Sequence, residues 1–129
     1  MATVIAKLLA VALGGALGAV SRYGFGALAV ATLGTRFPWS SFGVNVIGSL
    51  AIGVAAVLIG DRVLAGELWR PLFVVGFLGA FTTFSAFSLD ALLLLQQGNY
   101  NSAFAYVAAS VLVCLAATYC GMQLAKLFL

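Results

Sequence analysis

One stretch of the sequence alternates aromatic rings with hydroxyl side chains. Between Gly76 and Asp90, phenylalanines recur at spacings of four, three and three residues, and hydroxyl residues stand beside them at Thr82, Thr83, Ser85 and Ser88. This spacing places the rings on one face of a helix. Because an aromatic ring has a positive edge, ring edges interleaved with hydroxyl donors would attract an anion weakly. A fixed positive charge would instead hold the anion too tightly for conduction. The alternative is a stripe that faces lipid or packs in the core, which is the usual meaning of this spacing.

The same stretch contains residues that weaken a helix. Gly76 and Gly79 are followed by the pair Thr82 and Thr83, and these types lower helix propensity in the middle of an apolar segment. A broken helix in a membrane is tolerated only where the freed carbonyl groups find a partner, such as a cation or water. The sequence therefore allows either a break with such a partner or a continuous, tightly packed glycine-rich helix.

Two further sets of polar side chains lie inside apolar segments. Asn45 stands in a segment without charges, where an unpaired amide costs several kcal/mol, so it must have a partner on another helix or in a pathway. Weakly polar residues also recur every four positions near the C-terminus, on one helical face: Tyr106, Ser110, Cys114 and Thr118. This track fits either hydrogen bonds between helices or the lining of a pathway.

The elements that carry these residues are membrane spans. Of 129 residues, 64% are hydrophobic, 7% are charged and none is histidine, whereas soluble domains are about 25% charged. Apolar segments long enough to cross a bilayer predict an all-α integral membrane protein forming a single domain of four helices, at about 4–33, 40–60, 71–97 and 102–128. The net charge of +3 comes from scattered residues and excludes a nucleic-acid partner. No nucleophile–base pair or set of metal-ligating side chains predicts an enzyme.

The membrane orientation is weakly specified. Four cations would lie on the side of the N-terminus: Lys7, Arg62, Arg70 and Lys126. The opposite side would have Arg36, together with Arg22 if Arg22 lies near that interface. The excess favours a cytoplasmic N-terminus, but so few charges allow insertion in either direction.

Motifs along the whole chain resemble one family. They are the segment from Gly15 to Arg22, Val44–Gly48 around Asn45, the run from Gly76 to Ser88 and the turn Gln97–Tyr100. These segments, in this order and at this chain length, resemble the Fluc (CrcB-type) fluoride channels. The Thr-Thr-Phe-Ser-x-Phe-Ser run is the most specific of them.

This resemblance implies a fold and a set of site residues. It implies an antiparallel, dual-topology homodimer in the bacterial inner membrane, with two fluoride pores and a third helix broken in mid-membrane. A structural Na⁺ at the dimer centre would be held by the backbone carbonyls of Gly79 and Thr82. The pore residues that it implies are Asn45, Phe84, Phe87, Ser41, Ser85, Tyr106 and Ser110, with Arg22 near the vestibule. Fluoride would leave the cytoplasm passively.

Three positions depart from the family pattern, and other functions remain open. Ala80 follows Gly79 where paired glycines are frequent, Cys114 replaces a hydroxyl residue, and Asp90 stands where glutamate is common. One alternative is a proton-coupled exporter of the small multidrug type, which needs a membrane carboxylate, and Asp90 is the only candidate within a span. Another alternative is an assembly protein that transports nothing.

Overall fold

Four membrane-spanning segments make up the chain in the computed structural model, which describes residues 2–61 and 63–129. Helix α1 is Ala2–Leu33, and α2 is Trp39–Gly60. Helix α3 is a π-helix over Arg70–Leu78 and continues directly as an α-helical turn over Gly79–Phe81. Helix α4 is Phe84–Gln96, and α5 is Tyr100–Leu127. The described residues contain no strand, so the predicted all-α membrane protein is confirmed. Arg62, one of the cations used to predict the orientation, lies outside the described residues.

Helix α1 is continuous and longer than an upright span requires. Its 32 residues correspond to about 48 Å of rise, against about 30 Å of bilayer hydrocarbon. Most of its large apolar side chains are exposed, among them Leu8, Leu9 and Leu13. In a membrane protein these side chains face lipid, so their exposure carries no penalty.

Glycines bring the helix backbones into contact at two crossings. A Cβ atom on Gly14 would collide with the carbonyl oxygen of Leu72, which places α1 directly against α3. A Cβ atom on Gly53 or on Gly121 would collide with the backbone of the opposite helix, so α2 and α5 cross in the same way. Small residues allow such close approach in lipid, where the hydrophobic effect does not drive helices together. These glycines therefore serve helix packing.

A small aromatic core holds α4 and α5 against the start of α2. Tyr106 is fully buried, and its ring contacts Phe37 edge-on at a centroid distance of 5.4 Å and Phe87 at 5.3 Å. Ala91, Leu94 and Ala103 complete this cluster. The core therefore fixes the orientation of α4 beyond the point where α3 ends.

Candidate functional site

The third span is interrupted at two threonines. Helix α3 ends at Phe81, Thr82 and Thr83 adopt extended backbone conformations, and α4 begins at Phe84. The hydroxyl group of Thr82 donates to the carbonyl of Leu78 at 2.8 Å, which closes the end of α3. The hydroxyl oxygen of Thr83 accepts from the amide of Ala86 at 3.2 Å, which caps the start of α4. Of the two alternatives for this stretch, the structure contains the interrupted helix.

Asn45 on α2 bridges the interruption. Its Nδ2 donates to the carbonyl of Thr83 at 2.9 Å, and its Oδ1 accepts from the amide of Thr83 at 2.8 Å. This pair of bonds replaces the helical bonds that an extended residue loses. The partner predicted for this half-buried amide is therefore the backbone of the break.

The break deprives carbonyl groups of their helical donors, among them those of Gly79 and Thr82. In a continuous α-helix the amide of Thr83 would bond the carbonyl of Gly79, and the amide of Ala86 would bond that of Thr82. Both amides donate elsewhere, to Asn45 and to the Thr83 hydroxyl. Carbonyl oxygens freed by unwinding in a membrane helix are suitable ligands for Na⁺.

A cavity of about 450 Å³, called the break cavity below, lies beside this interruption. Its lining includes Asn45, Gly79, Thr82, Thr83, Phe84, Phe87, Ser110 and Cys114, and no side chain that lines it is charged. Ser110 is only 6% exposed, and its Oγ has no hydrogen-bond partner among the described residues. A buried hydroxyl without a partner costs about 1–3 kcal/mol, so this group is available for a ligand.

The two rings of the candidate site lie side by side at this cavity. The centroids of Phe84 and Phe87 are 5.4 Å apart, with their planes inclined by 46°. Phe84 is 79% exposed. The predicted single stripe of four phenylalanines is wrong, because Phe77 and Phe81 stack with each other on α3 and the extended threonines reorient the chain before Phe84.

A second cavity, of about 880 Å³, adjoins the first and is called the Arg22 cavity. Arg22, Ser41 and Ser85 line it, and Thr83 lines both cavities. The Asn45–Thr83 pair therefore lies at the boundary between two cavities. The lining of one includes the cationic side chain of Arg22, and the lining of the other includes no charged side chain among the described residues.

Asp90 holds two of the predicted pore hydroxyl groups. The hydroxyl of Ser41 donates to Oδ2 of Asp90 at 2.6 Å, and that of Tyr106 donates to the same oxygen at 3.3 Å. A hydroxyl group has one proton, so neither group has another to give to an anion in this arrangement. Tyr106 is fully buried and lies outside the two cavities, while Asp90 lines a third cavity that also contains Arg36.

The predicted site residues thus fall into three groups. Six of them line the break cavity: Asn45, Gly79, Thr82, Phe84, Phe87 and Ser110. Arg22, Ser41 and Ser85 line the Arg22 cavity, and Tyr106 lies in the core. Thr83 was not among the predicted site residues, although a threonine directly before a helical pattern is a known signal for an N-cap.

Known proteins resemble the chain over nearly its whole length. Residues 9–122 match the family described as CrcB-like protein, Camphor Resistance (CrcB). A protein of Magnetococcus marinus named fluoride-specific ion channel FluC is 45% identical over 117 residues, which cover 91% of this chain and 95% of the relative. A protein of Rhizobium etli with the same name is 47% identical, over 90% of this chain and 93% of the relative. One of Hahella chejuensis, again with this name, is 44% identical, over 97% of this chain and 98% of the relative.

Proposed function

The chain belongs to the CrcB family, and we propose that it is a fluoride-selective channel through which F⁻ leaves the cytoplasm passively. One observation carries the proposal beyond the relationship. The break cavity collects hydrogen-bond donors and aromatic rings at mid-span and contains no charged side chain. Fluoride is small and strongly hydrated, so a pore must replace its water with donors, yet it must also release the ion.

Asn45 and Ser110 are among the donors at the break cavity that remain available for an anion. Nδ2 of Asn45 carries two protons, and the bond to the Thr83 carbonyl uses one of them. The Ser110 hydroxyl has no protein partner in the described part of the chain. The rings of Phe84 and Phe87 line the same space and would offer their positive edges. Together these groups would bind fluoride without a fixed cation.

Ser85 and Arg22 would serve the approach to this site. They line the larger Arg22 cavity, which meets the break cavity at Thr83. A single cation at a wide vestibule would raise the local concentration of anions without holding an ion in the narrow part of the path. Ser41 and Tyr106 donate to Asp90, so their role in this arrangement is to fix α2 and α5 against α4.

A second copy of the chain would complete the pore. The break leaves carbonyl groups without helical donors, and backbone polar groups exposed to lipid cost several kcal/mol each. Phe84 is also largely exposed in the single chain, beside these groups. A homodimer would cover this face, and the weak charge bias of the loops is compatible with two subunits inserted in opposite directions.

The residues at the break fit a Na⁺ ion at the centre of such a dimer. The Gly79 and Thr82 carbonyls have lost their helical donors, both residues line the break cavity, and Na⁺ prefers oxygen ligands of this kind. When bound, the ion would supply positive charge that stabilises carbonyl groups from both subunits. Gly79 and Thr82 would hold it through their backbones, while Asn45 and the Thr83 cap keep the chain unwound.

The driving force would be the membrane potential. Transfer of one elementary charge through 100 mV corresponds to about 2.3 kcal/mol. In the inner membrane of a bacterium, with the inside negative, this force drives fluoride outward without coupling to another ion. HF that enters from acidic surroundings and dissociates inside would be removed in this way.

Fluoride efflux from proteoliposomes tests the proposal. Vesicles loaded with KF or KCl are diluted into halide-free buffer with valinomycin, and the released halide is measured with ion-selective electrodes. We expect rapid fluoride release and little chloride release. Equal release of the two halides, or no release of fluoride, would contradict the proposal.

Two variants connect the flux to the break cavity. Phe84→Ile removes a ring edge and should slow fluoride release about 2- to 10-fold, from the 0.5–1.5 kcal/mol of an aromatic contact. Asn45→Asp removes a donor and places a negative charge in the cavity, so it should stop release. Phe104→Ile is the matched control, because Phe104 is 73% exposed on α5 and lies outside the cavity.

A proton-coupled exporter and a passive channel predict different effects of a substitution at Asp90. Such an exporter needs a carboxylate that exchanges protons, so Asp90→Asn would abolish transport. For a passive channel we expect Asp90→Asn to retain fluoride release, because the amide oxygen of an asparagine, in the place of Oδ2, can still accept both hydrogen bonds. Loss of transport in this folded variant, together with a proton gradient driving uptake in the wild type, would favour the exporter.

A further inference from the structure

A groove outside the proposed pore combines two cations with an apolar floor. It lies between the N-terminal ends of α1 and α3 and has a volume of about 260 Å³. Val4, Leu8, Val11 and Val75 supply apolar surface, and Lys7 and Arg70 border the groove, whose own surface is almost entirely apolar. We call it the Lys7–Arg70 groove. None of the predicted pore or sodium-binding residues lines it.

The charges of this groove are only partly neutralised. Nζ of Lys7 lies 3.4 Å from Oε2 of Glu67, but the side chains are 44% and 72% exposed, and exposed ion pairs are weak. Arg70 forms no ion pair with a carboxylate of the described residues. Lys7, Arg70 and Glu67 together leave one positive charge at the mouth of an apolar groove.

The position of the groove corresponds to the headgroup level of a bilayer. Arg70 begins α3, and Trp69, a residue type that favours the membrane interface, directly precedes it and is 44% exposed. Helix α1 begins on the same side, because α1 and the third span cross the membrane in the same direction. The cations therefore lie where lipid phosphates lie, and Val11 and Val75, which follow Lys7 and Arg70 by four and five residues, lie at the depth of the acyl chains.

We propose that the Lys7–Arg70 groove binds one anionic phospholipid. The phosphodiester contacts Lys7 and Arg70, and the upper part of one acyl chain lies against Val11 and Val75. Basic sites between transmembrane helices recognise anionic headgroups in this way. The apolar lining selects a lipid over a soluble phosphate, which offers nothing for that surface. This inference does not depend on the proposed transport function.

Native mass spectrometry of the purified protein tests the proposal with phosphatidylglycerol and phosphatidylcholine of identical chains. We expect one phosphatidylglycerol to remain bound per chain, and phosphatidylcholine to bind more weakly. The double variant Lys7→Gln/Arg70→Gln should weaken phosphatidylglycerol binding about 25-fold, at about fivefold for each charge. Lys126→Gln, on the exposed end of α5 at the same membrane side, should leave it unchanged.

Glu67→Gln should strengthen the binding of phosphatidylglycerol, whereas the double variant should weaken it. It removes the carboxylate that competes for Lys7, so phosphatidylglycerol should bind several times more tightly. This variant keeps the proposal testable if the double variant folds poorly, because a gain in affinity requires a folded protein. An equal effect of Lys126→Gln and the double variant, unchanged binding in Glu67→Gln, or displacement of the lipid by glycerol 3-phosphate would overturn the proposal.

Discussion

Asn45 shows how one side chain can stabilise an unusual backbone in a membrane. Both ends of its amide group bond to Thr83, at 2.9 and 2.8 Å, so α2 supplies hydrogen bonds that the third span has lost. An unwound residue without such a partner would cost several kcal/mol in lipid. Asn45 therefore has a structural function that any role in ion binding must accommodate.

Ser110 differs from Asn45 because it bonds to nothing in the described chain. The variant Ser110→Ala should leave the melting temperature unchanged or raise it, since it removes a buried hydroxyl without a partner. Fluoride efflux should fall about tenfold or more, because a hydrogen bond to a charged group contributes about 1.5–3 kcal/mol. Thermal unfolding and proteoliposome efflux measure the two effects separately.

Ser21→Ala is the control for this prediction. Ser21 is exposed on α1 and lines none of the four cavities described above, so neither the melting temperature nor the fluoride efflux should change. Normal efflux in Ser110→Ala would show that this hydroxyl does not contact the ion.

Thr83 provides a test of the cap at the break. Thr83→Val has nearly the same shape but cannot accept from the amide of Ala86, so the free energy of unfolding should fall by about 0.5–2 kcal/mol. Thr83→Ser keeps the oxygen and should retain most of this stability. Thermal unfolding in detergent compares the three proteins. Equal stability of the valine variant and the wild type would show that the cap contributes little.

At the scale of elements, the interruption of the third span decides which residues face the cavity. Residues 70–81 pack against α1 through glycines, whereas α4 packs against α5 through the aromatic core around Tyr106. The two extended threonines allow each half to follow its own partner. Propensity indicated a weak point between Gly76 and Thr83, but its location depends on Asn45, which lies on another helix.

The glycine crossing between α1 and α3 gives a prediction at this scale. Gly14→Ala places a methyl group against the backbone of Leu72, which cannot move as a flexible side chain would. We expect a loss of stability of about 1–3 kcal/mol, as for other overpacked sites. The melting temperature of the purified protein, measured by fluorescence-detected gel filtration, reports this loss.

Gly24→Ala on the same helix is the matched control. Among the described residues, no atom beyond the adjoining stretch of α1 itself lies within 4 Å of a Cβ at Gly24, and alanine favours a helix over glycine by about 0.5–1 kcal/mol. This variant should therefore be as stable as the wild type or more stable. A similar shift in both variants would contradict the close contact at Gly14.

At the scale of the whole molecule, a single chain leaves polar groups of the break uncovered. The exposed ring of Phe84 and the carbonyls of Gly79 and Thr82 lie around one cavity. A second copy with Na⁺ between the carbonyls would satisfy these groups together. The proposed dimer and its ion are thus parts of one solution to the same hydrogen-bonding problem.

Sodium removal tests this arrangement. Replacement of Na⁺ by N-methylglucamine at constant chloride should shift the purified protein from dimer to monomer and reduce fluoride efflux. Light scattering during gel filtration measures the mass, and re-addition of Na⁺ should restore the dimer. A dimer that persists without Na⁺, with unchanged efflux, would contradict a structural ion at Gly79 and Thr82.

The sequence by itself determined the class of protein and the candidate residues. Hydropathy is a local property of each segment, so the four spans follow from composition, and the glycine and threonine types mark where a helix is weak. Only the tertiary structure decided the partners, because Asn45 and Thr83 are 38 residues apart and Ser41 and Asp90 are 49 apart. Such contacts depend on how the helices cross. Local propensity contains no information about that geometry. The structure alone therefore shows that Ser110 has no partner among the described residues, while Ser41 and Tyr106 are bonded to Asp90.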